Sequence, residues 1–202
     1  QEQHFPEPGQ WLLFVDEQGV GQQLGNLFRS KGELCTLVYP GEEYKQIAEQ
    51  EFTIHPARPE HFQKLIEIVQ ATPLSLNGVV HLWSLDAVRT DTLTVSDLEK
   101  ASLNGCGSML HLVQALVKMT RFFPPALWLV TRGSQPVGAQ PSPLEVAQSP
   151  LWGLGKVLAM EHPEFHCTLV DLDPLYNKDE GQILFEEIWT QEPEREAYIA
   201  FR

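Results

Sequence analysis

Basic residues are scarce in this 202-residue chain: 14 Lys and Arg stand against 27 Asp and Glu, a formal charge of −13. A surface of that sign repels phosphate backbones and anionic lipid, so neither nucleic acid nor membrane is expected as a partner. Cysteine is scarcer still. Cys35, Cys106 and Cys167 stand in apolar or glycine-rich contexts without metal-ligand spacing, which argues against a disulfide framework and a zinc site. No metal is expected, and a reducing cytoplasm suits three free thiols. No apolar run nears the ~20 residues that a bilayer-crossing helix needs, and the opening QEQHFPEPGQ lacks the charged and apolar regions of a signal peptide. Residues 1–10 read as an incoming linker and 11–202 as the domain it enters, as expected of a piece of a longer chain. There is no internal repeat and no low-complexity tract.

What the chain does have is apolar strand material, within a hydrophobic content of 43%. The organising stretch is residues 11–25, WLLFVDEQGVGQQLG. Trp11 to Val15 is a continuous apolar run, the pattern of a strand buried on both faces, and Gly19, Gly21 and Gly25 follow before a helical segment. A strand, a glycine turn and a helix form the opening of a dinucleotide-binding fold, in which a pyrophosphate rests on the helix N-terminus. Asp16 puts a carboxylate at the strand end where that phosphate would sit, and no basic residue stands between it and the helix. The three glycines therefore read as a vestigial turn, and no cofactor-binding role is expected of them.

The alternation continues. Leu24, Leu27 and Phe28 give a helix one apolar face until Lys31-Gly32, and Leu34 to Tyr39 is the next strand, stopped by Pro40-Gly41. The polar segment to about Gln50 reads as a loop with a helical turn, and Phe52 to His55 as a brief strand. Pro59 starts a helix with Phe62, Leu65, Ile66 and Val69 at helical spacing. Gly78 to Trp83 is a buried strand, with His81 a hydrogen-bonded core histidine. Ser96 and Glu99 are spaced as a capping box opening one long helix to Thr120, in which Gly105 and Gly107 mark a close contact with a neighbouring helix. Ala126 to Val130 is a fourth strand, residues 131–146 a long Pro, Gly and Ser loop, and a helix follows from Ala147 to Glu161. His166 to Val170 is a strand ending at Asp171 and Asp173, then come a helix from Asp179 to Trp189 and a closing strand, Ala197 to Phe201. Met109, Met119 and Met160 read as core filling. Short apolar strands separated by helices argue an α/β fold, a truncated Rossmann-like parallel sheet with helices on both faces.

The pieces WLLFVDEQGVGQQLGNLFRSKG, GVVHLW, MLHLVQAL, LWLVTRG and SPLWGLGKVLAMEHPEFHCTLVDLD, in this order and at these separations, resemble the structural subdomain of the ketoreductase region of modular type I polyketide synthases. The resemblance runs from about Gln10 to Arg202. It implies a truncated Rossmann fold of short-chain dehydrogenase/reductase descent that binds no cofactor itself. Such a subdomain packs on and stabilises a catalytic ketoreductase subdomain of the same polypeptide, which holds NADPH.

Reductases of that superfamily use a Tyr acid, a Lys that lowers its pKa and a Ser that holds the carbonyl oxygen. Here the serine position falls on Thr131, with Arg132 and Gly133 after it, and the tyrosine position on Leu151 or Trp152, neither of which is an acid. Lys156 then has no acid to tune and reads as a surface residue. Leu82 and Trp83 would fill the cofactor's space, no basic residue follows Tyr39, and Asn104-Gly105-Cys106 stands where relatives carry a lysine, with Lys100 close by. No catalytic residue is expected. Two alternatives remain: an active NADPH-dependent β-ketoacyl reductase using the glycine turn with Thr131 and Lys156, and a docking module for neighbouring synthase domains or a carrier protein through the loop Gln135 to Pro143. The −13 charge counts against an acidic carrier protein. A partner-facing apolar patch is expected on the long helix between Ser96 and Thr120.

Overall fold

A computed structural model describes residues 8–118, 124–137, 144–175, 177–190 and 196–202. Eight strands form one sheet: β1 (Gln10–Phe14), β2 (Leu34–Pro40), β3 (Lys45–Ala48), β4 (Glu51–Ile54), β5 (Leu76–His81), β6 (Ala126–Arg132), β7 (Thr168–Leu172) and β8 (Tyr198–Ala200). Among the described residues six α-helices connect them: α1 (Val20–Ser30), α2 (Pro59–Ala71), α3 (Val95–Ser102), α4 (Ser108–Leu116), α5 (Ser149–Glu161) and α6 (Glu180–Trp189). The spatial order is β3-β4-β2-β1-β5-β6-β7-β8, parallel throughout except that β3 runs antiparallel to β4. The chain winds outward in both directions from β1 and β5, so the crevice between their C-terminal ends is the topological switch point.

Alternation along β1 explains the layering. Leu12 and Phe14 face a core with α2, α4 and α5, whereas Trp11, Leu13 and Val15 face a second core with α1 and α6. Trp11 stacks on Phe28 of α1 with ring centroids 4.2 Å apart, and it lies flat over Gly78 of β5, where an added Cβ would come within 2.3 Å of its ring. Gly155 does the same for α5, its missing Cβ making room for Leu169 at 2.5 Å.

Several expectations need correction. Gln10 belongs to β1 rather than to a linker. The segment before Gln50 contains the edge strand β3, whose four residues are all exposed and so carry no apolar alternation. The capping box is Thr94 with Asp97, two residues earlier than expected: the Asp97 amide donates to the Thr94 hydroxyl at 3.2 Å and the Thr94 amide to the Asp97 carboxylate at 3.0 Å. The long helix is three pieces, because a π-turn at Leu103–Gly107 separates α3 from α4. Gly105 lies against Ser84 in the turn after β5, and the π-turn that carries Gly105 and Gly107 also closely approaches α5. Met109 is core, but Met160 is 78% exposed; Met119 lies outside the described residues.

Gly153 contrasts with Gly155. It sits mid-helix and exposed, with open space where a Cβ would be. Gly155→Ala should therefore cost about 1–3 kcal/mol by overpacking, whereas Gly153→Ala should add about 0.5–1 kcal/mol through helix propensity. Denaturant midpoints of the two variants check both signs.

Candidate functional site

The C-terminal ends of the parallel strands converge on three clusters. The first is the glycine turn. Gly19 caps α1 with φ +94°, a conformation that L side chains rarely adopt. Gly21 lies against β1, where a Cβ would come within 2.5 Å of the Val15 side chain, and Gly25 approaches Leu37 and Leu13. All three glycines thus have structural work, Gly19 in its backbone conformation and Gly21 and Gly25 in strand–helix packing. The free N–H groups at the helix start are occupied from within the chain: Asp16 accepts from the Gly21 amide at 2.7 Å and the Val20 amide at 3.2 Å. Its carboxylate is buried and holds, at the positive end of the helix dipole, the place a phosphate takes in dinucleotide-binding folds.

The second cluster lies over β1, β2, β4 and β5. β5 ends at His81, earlier than expected, and the chain turns through Leu82 into a 3-10 turn, Trp83–Asp86. The Trp83 side chain, 1% exposed, packs edge-on to Phe14 at 5.1 Å and donates its indole N–H to the Val38 carbonyl at 3.3 Å. It thereby bridges β5 to β2 across the end of β1. His81 is the expected core histidine. Ser108 donates to the Asn104 carbonyl in the π-turn, so Nε2–H of His81 donates to Ser108 at 2.8 Å, and burial holds the ring neutral with a pKa lowered to about 3. A cavity of about 330 Å³ opens beside Trp83's turn, with Glu17, Glu42, His55, Asp86, Lys100 and Asn104 in its wall. Asp86 accepts from the Glu17 amide at 2.9 Å. Burial raises its pKa to about 7, opposed by that amide and by Lys100, and assisted by the charges of Asp16 and Glu17.

The third cluster sits at the ends of β6 and β7. Thr131 is fully buried; its hydroxyl donates to Asp171 at 2.7 Å and accepts from the Trp152 indole N–H at 2.8 Å. Asp171, expected at a strand end, is inside β7 and wholly buried. It also accepts from Ser134 N–H at 2.9 Å, Gln135 N–H at 3.1 Å and Arg202 at 2.7 Å. Lys156 is exposed one turn beyond Trp152, its Nζ 5.5 Å from the Tyr198 ring centroid. Arg132 forks onto Glu180 at the start of α6, with Nη2–Oε2 at 2.7 Å, and reaches Gln18 in the glycine turn at 3.3 Å. That buried pair was not foreseen: 48 residues separate its members and no local pattern announces it.

Cys35 and Cys167 are buried with thiol pKa values pushed up to about 12, so neither is a nucleophile near neutral pH. Among the described residues no three His, Cys, Asp or Glu side chains are placed to hold a metal, and no helix is long and apolar enough to cross a membrane. Of the loop Gln135 to Pro143, residues 138–143 lie outside the described residues.

Parallel strand order, the switch-point crevice and the glycine turn define a Rossmann-type α/β domain of short-chain dehydrogenase/reductase architecture. A short-chain dehydrogenase from Streptomyces avermitilis superposes with a TM-score of 0.68 at 12% identity, over 98% of this chain and 90% of its own. The family is defined by sequence: a family model described as beta-ketoacyl synthase-like, N-terminal, matches residues 9–192, and the chain belongs to that family. Polyketide synthase GfsA of Streptomyces halstedii is 38% identical over 109 residues, which are 54% of this chain and 1% of that protein. The multidomain structure of the adenylation, ketoreductase and pseudo Asub domains of a keto acid-selecting NRPS module matches with a TM-score of 0.83 at 24% identity, over 97% of this chain and 16% of that one. The stretches matched span only 1% to 4% of the length of the polyketide synthase relatives.

Two outcomes are expected. Asp16→Ala, which strips the acceptor from two helix-start N–H groups, should cost about 0.5–2 kcal/mol in equilibrium unfolding. For Asp86 the folded pKa lies above the unfolded one, so its contribution to stability is fully present below the ordinary carboxyl value of 3.8 and is lost as pH rises through about 7. The thermal midpoint of Asp86→Asn should accordingly fall less between about pH 5 and 8 than that of the wild type.

Proposed function

We propose that the chain is a non-catalytic structural subdomain of the ketoreductase region of a modular polyketide synthase, and that it packs on and stabilises a catalytic ketoreductase subdomain of the same polypeptide. The observation that carries this reading is the hydrogen bond between Trp152 and Thr131. Thr131, at the position where a reductase needs a free hydroxyl, is bonded both to Asp171 and to Trp152, which with Leu151 is one of the two residues on which the tyrosine position falls, and all three side chains are buried. An indole N–H transfers no proton to a ketone near neutral pH, and Lys156 faces an aromatic ring instead of an acid.

The residues present do not fit a dinucleotide. Asp16 already holds the helix-start N–H groups and would repel a pyrophosphate, and Trp83 spans the crevice over β1. NADPH is therefore assigned to the companion subdomain and no hydride step to this chain.

A packing surface is supported on the helices. On α5, Gly153, Val157 and Met160 are exposed at helical spacing, and Leu110 and Val117 are exposed along and just beyond α4. Exposed apolar side chains on α4 and on α5 support a packing surface that takes in α5 as well as the long helix on which it was expected. A mid-helix glycine that nothing in its own chain requires lets a partner's backbone approach. The partner is then the catalytic ketoreductase subdomain, with neighbouring synthase domains as further contacts.

Calorimetric titration with NADPH, beside a competent ketoreductase as control, should give no saturable binding up to millimolar cofactor; micromolar binding would overturn the reading. Val157→Arg with Met160→Glu should abolish co-purification with the downstream catalytic half. Gly153→Leu should weaken it while the chain stays folded by circular dichroism. Undiminished co-purification of both variants would remove the helical face as the packing surface.

A further inference from the structure

Among the six described α-helices, α3 alone has no buried residue. It is held together from within, by the Thr94 and Asp97 capping box, and it packs chiefly on the π-turn that follows it. An eight-residue helix with so little tertiary support belongs to the low-stability end of a fold.

The π-turn has one fixed side and one free side. On the fixed side Ser108 is wholly buried and takes the Nε2–H of His81 at 2.8 Å, which ties the start of α4 to β5. The same hydroxyl bonds back to the Asn104 carbonyl and lies 3.2 Å from that of Gly105. A side chain bonded back onto the preceding turn competes with the helical ladder and bends it, and the bend falls on a stretch that includes Gly105 and Gly107. On the free side no comparable anchor holds α3 to the sheet, so the π-turn has the make-up of a hinge.

Two spaces separate α3 from the body of the domain. One is the cavity of about 330 Å³ on the side of β2 and β4; the other, of about 60 Å³, lies against Trp83, Ala87 and Val88. Lys100 and Asn104 line both from the helix side, and Asp86 lines both from the opposite wall. Lys100 thus faces Asp86 without forming an ion pair with it in this arrangement. Burial pushes the Asp86 carboxyl up to about 7, helped by the charges of Asp16 and Glu17 and opposed by the Glu17 amide and by Lys100. A closer approach of the ammonium would offset that cost.

We propose that α3 is a flap hinged at Leu103–Gly107, which settles onto the turn after β5, brings the Lys100 ammonium to the Asp86 carboxylate and closes the crevice left open beside Trp83. Val95 and Leu98, both exposed, ride on the flap, so the first part of the long helix has two settings while α4 stays fixed. The device is independent of the packing face on α4 and α5 and stands whether or not a partner covers that face.

The test is a distance measurement by double electron–electron resonance between spin labels at Ser96→Cys on α3 and Glu43→Cys beyond β2, with Cys106→Ala removing the half-buried native thiol. At pH 8, where Asp86 is largely ionised, a shorter-distance population is expected. Lys100→Met and Asp86→Asn should each reduce it at least threefold, and Glu99→Gln on the same helix should leave it unchanged. Lys100 is exposed, so Lys100→Met keeps the fold even if Asp86→Asn does not. With the first label moved to Gln114→Cys on α4, one distance should be found in every variant. A distribution that Lys100→Met leaves unchanged or moves to shorter distances would overturn the proposal, as would an equal loss with Glu99→Gln. A matching spread from the α4 label would overturn it too, by placing the motion in the loop that carries Glu43.

Discussion

The structure depends on one constraint: β1 is buried on both faces, so each of its residues must find an apolar partner on one side of the sheet or the other. Trp11, Leu13 and Val15 commit α1 and α6 to one face, and Leu12 and Phe14 commit α2, α4 and α5 to the other. Many of the buried polar groups are thereby gathered toward the C-terminal ends of the strands. There the backbone N–H groups, the carboxylates and the few buried cations must satisfy one another, since water reaches few of them. The three clusters at the C-terminal edge are solutions to that problem: Asp16 on the α1 N-terminus, Trp83 on the Val38 carbonyl, and Asp171 among Thr131, Ser134, Gln135 and Arg202.

Set against the demands of hydride transfer, these solutions use up the groups the chemistry would need. A catalytic hydroxyl has to be free to meet a carbonyl, and the Thr131 hydroxyl both donates and accepts within the protein. A phosphate site needs vacant amides, and those of Val20 and Gly21 are engaged. The Arg132–Glu180 pair then joins the glycine turn, through Gln18, to the ends of β6 and β7 and the start of α6. Removing one partner of such a buried, bidentate pair is far more costly than the pair is worth, so it acts to fix geometry.

Most of the fold was legible in the sequence because apolar runs of five or six residues flanked by Gly and Pro leave little choice between strand and helix. The errors have local causes. β3 is a polar edge strand, stabilised by backbone pairing with β4 and by nothing a hydrophobic pattern registers. In Thr94-Val-Ser-Asp-Leu-Glu99 two capping boxes overlap by spacing, and only the chain's path decides between them. The apolar run at Leu82-Trp83 continues past the sheet because the side chains are needed for closure, not for pairing. At the site, Asp16, Trp83, Thr131 and Trp152 could be singled out one by one. Their mutual contacts could not, since Thr131 and Trp152 are 21 residues apart, and Arg132 and Glu180 farther still.

The Asp16 cap carries a thermodynamic consequence. An enzyme that binds a dinucleotide gains stability in proportion to the logarithm of cofactor concentration, so its folded fraction follows the metabolic state of its surroundings. Here the anion on the helix is tethered by four residues to the Val20 amide it serves and can never be diluted away. The apo and loaded forms of the motif have been merged into one. On the structural-subdomain reading proposed above, a domain built this way presents the same face to its neighbours whether the cell is rich or poor in reducing power.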